Sequence, residues 1–457
     1  MLQNCRAAED YTRGVASVSP PHHDLPLEEA KVPVILTIAI TLIVIAAAGF
    51  AYVTASVNAE ADREAAIVSV PKVADDAEAF MRALGGSASA DVIAGNRIEI
   101  LQNGVRIFPA LLDAIASARH SVHFSTFIYS AGQIPIEFAE AFSAAAKRGV
   151  EVRMVFDKSG SKRVSPELMA QMRKAGCKIQ WFRPIQWYSW AKYNHRTHRK
   201  LLIIDGTVAF TGGVGIADEW NGNADSPTHW RDTHVRVLGP AVASVQAAFV
   251  DNWNEATGEL PINDRYFPRV PRAGETSMCG IQSNPAFGAS AAQRSMAVLI
   301  AGASRRLWIA NAYFIPPKPF VQALLDAEAR GVDVKIVLPG RYHDQPSVRR
   351  ASRRTWGPLL EGGVELYEYE PTMMHCKIVL VDSSVTSIGS INFDPRSFAL
   401  NAEFGVVALD RALAKQMEDA FAADLGYSRR VTAEDLRRLP VYERVLSIFF
   451  YWIRAQL

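Results

Sequence analysis

A duplicated run of helices and strands is the feature that most constrains how this chain of 457 residues folds. In the first half, FPALLDAIASARHSVHFSTFIY is followed by AFSAAAKRGVEVRMVFD, which predicts helix, strand, helix, strand. In the second half, MAVLIAGASRRLWIANAYFI is followed by LLDAEARGVDVKIVLP, in the same order. Strands that alternate with helices predict an α/β sheet with helices on its faces. The sequence therefore predicts two pseudo-symmetric α/β lobes with mixed sheets flanked by helices.

Each half continues in the same way. A helix that stops at a glycine leads to another strand, in MRKAGCKIQWF and again in LLEGGVELYEY. A strand that looks buried then follows a histidine, in HRKLLIIDGTVAFTGG and in HCKIVLVDSSVTSIGS. The first half carries extra residues before its histidine, including the aromatic stretch from Trp187 to Tyr193. These aromatic side chains could enter a membrane interface, line an acyl channel or pack in the core.

An uncharged stretch lies near the start of the chain, over residues 32–57, between Lys31 and Glu60. About 20 apolar residues cross a hydrocarbon layer of roughly 30 Å, so this stretch predicts a transmembrane helix. A cleaved signal peptide usually has a shorter apolar region, and a buried core helix is the other alternative. Lys31 on one side is balanced by Arg63 and Lys72 on the other, so the flanking charges do not decide the orientation.

Together these patterns predict six segments. They are a mobile leader (1–31), the transmembrane helix (32–57), a linker with a short helix (58–96), a first lobe (97–265), a second lobe (266–426) and a basic, aromatic C-terminal segment (427–457).

Composition limits the function classes. The formal net charge is only +2, which argues against a protein that wraps nucleic acid with a strongly basic surface. The four cysteines lie far apart without a CxxC pair, so neither a zinc knuckle nor a disulfide framework is predicted.

The motif HxKxxxxD occurs twice, as His198, Lys200 and Asp205 and as His375, Lys377 and Asp382. On an extended strand, residues two apart point to the same face, so the histidine and the lysine reach one ligand. A neutral imidazole can attack a phosphate while a fixed ammonium offsets charge on its nonbridging oxygens. One such pair could be structural. Two copies at equivalent places of a duplicated unit predict a site for phosphodiester chemistry.

A glycine-rich turn follows each motif, Gly212-Gly213 in the first half and Gly389-Ser390 in the second. Such turns let backbone N–H groups approach an anion closely. We therefore expect these turns to help bind a phosphate.

HRKLLIIDG and HCKIVLVDS, together with GSINFDPRS, resemble the phospholipase D superfamily with two HKD motifs, and the resemblance runs from about Arg97 to Leu425. It implies that one histidine attacks phosphorus to form a phosphohistidine, while the other protonates the leaving alcohol and then activates the incoming one. By this analogy His198 is the nucleophile and His375 is the general acid and base. The family needs no metal, and no other cofactor is expected.

The resemblance also implies supporting residues for the phosphate. Lys200, Lys377 and Asn392 match the family's phosphate-binding positions, and Ser390 lies beside them. In the first half, Gly215 stands where Asn392 stands in the second, so the first amide is missing. Phosphate binding should therefore be asymmetric.

Four carboxylates complete the expected site. Asp205 and Asp382 belong to the catalytic motifs, but we expect them to brace strands and turns instead of touching substrate. The family's histidine-orienting carboxylates fall near Asp232 and Glu403, one in each half. A carboxylate on the far ring nitrogen would fix the tautomer, although either residue could also be an ordinary carboxylate beside a strand.

WRDTHVRVLGP, GSINFDPRS and SVRRASRRTWGPLLEGGVELYEY resemble the bacterial cardiolipin synthase branch. This resemblance implies a phosphatidyltransferase that acts on phospholipids, with phosphatidylglycerol as the expected substrate. It also implies a single-pass protein of the bacterial inner membrane, with nucleic acid not expected as a partner. Hydrolysis by a phospholipase D, a membrane-tethered nuclease with a basic groove, and a scaffold with decayed motifs are the alternatives.

Two further basic patterns bear on the membrane. The C-terminal YERVLSIFFYWIRAQL combines basic and aromatic residues, as interfacial helices do, but could equally dock on the protein core. A helical stripe could face anionic headgroups or remain a solvated surface, and it consists of Arg349, Arg350, Arg353 and Arg354.

Overall fold

A computed structural model describes residues 31–62, 70–184, 194–285 and 290–457. The chain forms two compact units, Met1–Val53 and Thr54–Leu457. The aromatic stretch from Trp187 to Tyr193 lies outside the described residues, as does nearly all of the expected leader.

The uncharged stretch forms helix α1 (Lys31–Ala61). Its part Ile35–Ser56 is long and apolar enough to cross a membrane, and its large apolar side chains are exposed. This helix agrees in length and position with the predicted transmembrane segment. The last two turns of α1, from Thr54 onward, belong to the second unit.

The second unit contains the remaining elements. Ahead of the lobes lies α2 (Ala77–Ala88). The first lobe consists of β1 (Ile93–Gln102), α3 (Asn103–Ser117), β2 (Ser121–Thr126), α4 (Gln133–Lys147), β3 (Glu151–Asp157), α5 (Pro166–Ala175), β4 (Lys178–Phe182), β5 (Arg196–Thr197), β6 (Leu201–Ile204), β7 (Val208–Gly212), β8 (Thr233–Leu238) and α6 (Val242–Thr257). The second lobe consists of β9 (Thr276–Ser283), α7 (Ala291–Gly302), β10 (Arg306–Asn311), α8 (Lys318–Ala329), β11 (Asp333–Pro339), α9 (Pro346–Glu361), β12 (Glu365–Tyr369), β13 (Lys377–Val381), β14 (Val385–Gly389), α10 (Pro395–Ala399), β15 (Asn401–Leu409) and α11 (Arg411–Gly426). The C-terminal segment forms β16 (Ser428–Arg430), α12 (Ala433–Arg437) and α13 (Val441–Trp452).

The strands form one sheet in the order β16-β12-β11-β10-β13-β14-β15-β9-β1-β8-β7-β6-β2-β3-β4, and β5 pairs with β15. Antiparallel pairing of β1 with β9 joins the two lobes. Outward from this junction, β8-β7-β6-β2-β3-β4 repeats the order β15-β14-β13-β10-β11-β12. In each lobe the last three of these strands are parallel and the others antiparallel. The predicted pair of pseudo-symmetric lobes with mixed sheets is thereby confirmed.

Helices cover both faces of the sheet. One apolar core lies under α3, α4 and α5 in the first lobe, and another lies under α7, α8 and α9 in the second. A third core, shared by the two lobes, contains the buried faces of α6 and α11. Because this shared core takes side chains from strands of both lobes, the two halves pack as one body.

The segment expected to be a linker contributes to a core. Helix α2 buries Phe80, Met81 and Leu84 against α7, and the N–H of Val73 donates to the carbonyl of Gly302 at 3.1 Å. Strand β1 begins at Ile93, a few residues before the expected start of the first lobe. The apolar face of α2 explains the difference, because one short amphipathic helix buries enough surface to join the second lobe.

The arginine stripe on α9 is largely engaged within the protein. Arg350 and Arg353 form ion pairs with Glu443 of α13, at 3.0 and 3.4 Å. Arg349 donates from Nε to Glu368 at 3.0 Å. Three of the four arginines therefore hold elements together, and the prediction of a free cationic stripe is wrong for them.

Candidate active site

The two motif histidines lie just before the buried hairpins β6-β7 and β13-β14. The backbone N–H of His198 donates to the carbonyl of Ala402 at 2.8 Å, and that of His375 donates to the carbonyl of Arg231 at 2.7 Å. Both bonds cross from one lobe to the other. Each histidine is therefore fixed against the opposite half of the sheet.

The histidine-orienting carboxylates are exchanged between the lobes. Nδ1 of His198 lies 3.0 Å from Oε2 of Glu403, and Nδ1 of His375 lies 2.9 Å from Oδ2 of Asp232. A carboxylate on Nδ1 holds a proton there and leaves Nε2 for substrate. The sequence placed one carboxylate in each half, but it did not indicate that each serves the histidine of the other half.

Glu403 is buried and sits among several donors. Its carboxylate accepts from the Ser390 hydroxyl, from the Ser397 hydroxyl at 2.8 Å and from the Asn401 amide at 3.2 Å. Burial alone would raise its pKa, but the adjacent His198 ring and the Ser390 hydroxyl keep the pKa of Glu403 below its usual range. Glu403 is therefore an ionised partner for His198.

Asp232 is also buried, with fewer donors. Its carboxylate accepts from the Trp220 indole at 2.9 Å and from the N–H of Thr233 at 2.7 Å. A Cβ at Gly213 would lie only 2.2 Å from Oδ1, so a glycine is needed beside this carboxylate. Burial raises the pKa of Asp232 despite the opposing charge of Lys377. The two carboxylates thus differ in their tendency to ionise.

The two motif lysines are buried beside their histidines. Nζ of Lys200 donates to the carbonyl of His198 at 2.8 Å, and Nζ of Lys377 donates to that of His375 at 2.7 Å. Burial and the charge of Lys377 lower the pKa of Lys200 to about 7, and burial also lowers the pKa of Lys377. A bound anion would relieve both the desolvation and the mutual repulsion. The lysine pair therefore suits a phosphate.

Burial favours the neutral form of both histidine rings. Burial lowers the pKa of His198 to about 4 and holds the pKa of His375 well below its usual value, and the nearby lysines act in the same direction. A neutral ring is the form that attacks phosphorus. A phosphodiester anion bound between the rings would favour protonation of the other one, because opposite charges attract.

The surroundings of Asn392 and of its counterpart Gly215 differ between the lobes. Oδ1 of Asn392 is buried and, within the described parts of the chain, has no hydrogen-bond partner. Rotation of the Asn392 carboxamide would place its N–H₂ group at the position of Oδ1. At Gly215, a Cβ would come 3.0 Å from Cβ of Ile128 and 3.3 Å from the ring of Trp220. Any side chain at the equivalent position of the first lobe would press tightly on Ile128 and Trp220.

One backbone N–H group in each glycine-rich turn is bonded within the protein. The N–H of Ser390 donates to the carbonyl of Phe404 at 2.9 Å, and that of Gly213 donates to the carbonyl of Thr233 at 3.3 Å. The Ser390 hydroxyl is engaged with Glu403. These donors therefore help to build the sheet and to hold Glu403, and phosphate binding by the turns and Ser390 stays a prediction.

The motif aspartates lie at the far ends of their strands, away from the histidines. Asp205 accepts from the backbone N–H groups of residues 119–121 at 2.7 to 2.9 Å, and Asp382 accepts from those of residues 304–306 at 2.8 to 2.9 Å. Each carboxylate thus ties its hairpin to the start of a neighbouring strand. These contacts fit the bracing role that the sequence predicted for both aspartates.

A polar cluster beside His375 was missed by sequence reasoning. The Tyr313 hydroxyl donates to Asp344, and the Tyr313 ring lies 6.4 Å from the His375 ring, centroid to centroid. His343 stacks on Tyr313 at 5.6 Å, and the negative charge of Asp344 favours a protonated His375. No recognisable motif surrounds Asp344, which lies in the loop before α9. Its position could only be found from the fold.

Two His–carboxylate pairs around two buried lysines can perform a double displacement at phosphorus. One neutral ring would attack while the other handles the proton of the departing alcohol. Among residues 31–62, 70–184, 194–285 and 290–457, no group of three or more His, Cys, Asp or Glu side chains is placed to hold a metal ion.

Comparison with known families matches both lobes. A family model described as "Cardiolipin synthase, PLD-like domain" matches residues 111–249 and 296–425. The chain is 34% identical over 366 residues to cardiolipin synthase A of Pseudomonas entomophila, which covers 79% of this chain and 75% of the relative. It is 32% identical over 375 residues to cardiolipin synthase 1 of Bacillus cereus, which covers 80% of this chain and 73% of the relative.

Solved structures share the fold at low sequence identity. Phosphatidylserine synthase of Haemophilus influenzae superposes with a TM-score of 0.64 at 14% identity, covering 82% of this chain and 98% of that structure. Polyphosphate kinase of Porphyromonas gingivalis gives a TM-score of 0.51 at 14% identity, covering 78% of this chain and 52% of that structure. These likenesses concern the two-lobed architecture alone.

Proposed function

The chain belongs to the cardiolipin synthase family of proteins with a phospholipase D-like domain and is an enzyme of the phospholipase D superfamily, and we propose that it makes cardiolipin from phosphatidylglycerol. The observation that carries this proposal is the pair of crossed His–carboxylate contacts around two buried lysines. Relatives at 32–34% identity over most of the chain carry the name cardiolipin synthase, which supports phosphatidyl transfer.

In the first step, Nε2 of His198 attacks the phosphorus of phosphatidylglycerol. The bond between phosphorus and the headgroup glycerol oxygen breaks, and the glycerol leaves with a proton from His375. Lys200, Lys377 and Asn392 offset the charge on the nonbridging oxygens. The product of this step is a phosphatidyl group on His198, whose developing positive charge is stabilised by ionised Glu403.

In the second step, a hydroxyl of another phosphatidylglycerol attacks the phosphohistidine. Its proton passes to the now neutral His375, the bond between phosphorus and Nε2 breaks, and cardiolipin leaves. Both rings return to their starting states. Water in place of the lipid hydroxyl would give phosphatidic acid, so the choice of acceptor depends on how well the cleft excludes water.

The apolar helix α1 supports a location at the lipid. We propose that Ile35–Ser56 is a single span in a bacterial inner membrane, which keeps the catalytic unit beside its substrate. Tethering raises the effective concentration of lipid at the site without any added contact.

The proposal is tested with purified full-length protein and phosphatidylglycerol, followed by mass spectrometry of the lipids and assay of free glycerol. We expect cardiolipin and glycerol in equal amounts from the wild type and neither from His198→Ala or His375→Ala. Phosphatidic acid alone would make the protein a hydrolase. Loss of lipid turnover together with salt-sensitive cleavage of nucleic acid would overturn the lipid assignment.

A further inference from the structure

Helix α13 presents two faces of opposite character. On its inner face, Phe450 and Tyr451 pack with Ile315, Val348 and Ala351. Its outer face is exposed and carries large apolar side chains four and three residues apart, so they share one stripe. The stripe consists of Val441, Val445, Ile448, Phe449 and Trp452, with exposed fractions from 44% to 74%.

Such a stripe is costly in water. Burying apolar surface is the main favourable term in folding, and soluble proteins seldom expose a continuous row of large apolar residues. Here the inner face already binds the protein through the ion pairs of Glu443 with Arg350 and Arg353. Val441, Val445, Ile448 and Phe449 of the outer stripe therefore remain exposed in the part of the chain that the structure describes, and they are accessible to a partner outside the catalytic unit.

The junction with α1 indicates which partner this is. The candidate span ends at Ser56, and two residues later the side chain of Asn58 donates to the carbonyl of Trp452 at 2.8 Å. Arg454 forms an ion pair with Asp62 at 2.7 Å. Two residues of helix advance the chain by only about 3 Å. The C-terminal end of α13 is thus bonded to the chain at the point where the apolar span stops.

The charges around the stripe fit an anionic surface. Residues 427–457 contain six arginines and three acidic residues. Arg437 and Arg438 are more than 70% exposed, although both also pair with Glu434, and Arg444 is exposed within α13 itself. Cationic residues beside an apolar helical face are typical of helices that lie in the interface of membranes with anionic lipids.

We propose that the outer face of α13 is a second membrane contact, which docks the catalytic unit onto the headgroup region of an anionic bilayer. Because α13 is fixed to α9 and to the end of α1, its insertion sets the orientation of the catalytic unit, and not only its distance from the membrane.

The same segment reaches the catalytic motif. Gln456 accepts from the side chain of Asn194 at 2.9 Å, and Asn194 in turn accepts from Arg396 at 3.0 Å. Asn194 lies four residues before His198 in the sequence. A helix held in the interface would therefore hold this edge of the active site close to the lipid headgroups.

The proposal is tested on the full-length protein in nanodiscs of phosphatidylcholine and phosphatidylglycerol. A nitroxide label is placed by Ile448→Cys in a Cys5→Ser background, since Cys177, Cys279 and Cys376 are buried. Its collision rates with oxygen and with a water-soluble nickel complex give its depth. The matched control is the label at Val105→Cys, an exposed apolar position on α3.

We expect position 448 to be accessible to oxygen and shielded from nickel, and position 105 to be accessible to nickel. Nickel access at 448 equal to that at 105 would overturn the proposal. Shielding from both reagents would also overturn it, because it would indicate a protein partner or a second copy of the chain on this face.

A functional readout separates this inference from the proposed function on which it partly rests. The double variant Val445→Asn/Ile448→Asn should lose several-fold in turnover of vesicle phosphatidylglycerol. Its turnover of a short-chain phosphatidylglycerol below the critical micelle concentration should match the wild type. Equal losses on both substrates would mean damage to the fold. If the wild type has no transferase activity, the proposed function is refuted. The depth measurement would still test the docking of α13 on the membrane.

Discussion

The two halves of the active site contain the same histidine and lysine but surround them differently. On the His198 side, the carboxylate belongs to Glu403, which accepts hydrogen bonds from two serines and an asparagine and keeps a low pKa. On the His375 side, Asp232 has a raised pKa, and a second carboxylate, Asp344, lies nearby. Duplication therefore supplies two similar rings, while their neighbours supply the difference that acid–base chemistry needs.

The difference between the halves is partly steric. Gly213 gives room to Asp232, whereas its counterpart Ser390 reaches Glu403 with a hydroxyl. A Cβ at Gly215 would press tightly on Ile128 and Trp220, whereas its counterpart Asn392 carries a buried amide oxygen that has no hydrogen-bond partner among the described residues. An exchange of residues between matching positions therefore tests which asymmetries matter.

The largest effect is expected from removal of either histidine, about 10² to 10⁴-fold in turnover of phosphatidylglycerol. The two variants should differ on a lipid with a p-nitrophenol leaving group, which needs little protonation. His375→Ala should still release one equivalent of nitrophenol and gain the mass of a phosphatidyl group, and His198→Ala should do neither. The reverse pattern would assign the nucleophile to His375.

The next largest effect is expected at the crossed carboxylates. Glu403→Gln or Asp232→Asn should lower the turnover of phosphatidylglycerol by about 100-fold. Each carboxylate contacts the histidine of the other lobe. Glu403→Gln should therefore abolish the release of the first equivalent of nitrophenol (the nitrophenol burst), as His198→Ala does. Asp232→Asn should keep the burst and block its turnover, as His375→Ala does. Similar melting temperatures are the control for folding. A burst that survives Glu403→Gln would refute the crossed arrangement in solution.

The lysines give a pH test of the same comparison. Lys200, with a pKa of about 7, must be protonated to bind the phosphodiester, so its contribution is complete below that pKa and lost above it. We expect kcat/KM to fall by about tenfold per pH unit once the pH exceeds the pKa of this group. In Lys200→Arg the fall should move to higher pH, because a guanidinium stays charged. A shift seen only in Lys377→Arg would assign this titration to the second half.

Exchange at the matching turn positions should have a smaller and unequal effect. Gly213→Ser places a Cβ against the Asp232 carboxylate and should lower kcat by about tenfold, the equivalent of about 1.4 kcal/mol. Ser390→Gly removes one hydrogen bond to Glu403, which contributes about 1 kcal/mol. We therefore expect kcat to fall by a few-fold. Steady-state kinetics beside thermal melting would measure both. Equal losses would show that the two turns have equivalent roles.

The smallest effect is expected at the polar cluster of Tyr313, His343 and Asp344 in the second half. Tyr313→Phe removes the hydrogen bond to Asp344 and should raise the KM for the acceptor lipid a few-fold, with little change in the nitrophenol burst. Ile128→Val at the matching place in the first half is the control and should change neither quantity. An altered burst in Tyr313→Phe would place this cluster in the first chemical step.

The sequence predicted some of the features behind these predictions better than others. The repeat of helices and strands predicted the two lobes, because hydrophobic periodicity is local and was repeated at matching places. His198, Lys200, His375 and Lys377 were predicted from a spacing that occurs twice at matching places, because residues two apart on an extended segment share a face.

Residues that act through tertiary contacts were placed less well. Glu403 and Asp232 were identified as orienting groups, but their exchange between lobes depends on the pairing of β5 with β15 and on the bridge between Arg231 and Met374. Ser390 was expected at the phosphate, and its sequence position does not reveal that its hydroxyl also donates to Glu403. Asp344 was missed because a single aspartate in a loop carries no local signal.

The exchange of carboxylates between the lobes has a consequence for protein synthesis. When the first lobe has left the ribosome, His198 has no Glu403 and Asp232 has no His375, so neither catalytic pair exists. Phosphodiester chemistry requires the chain to be complete at least through β15 and its two halves to be joined. A nascent or truncated chain already inserted through α1 would therefore lie beside phospholipids without the means to cleave them.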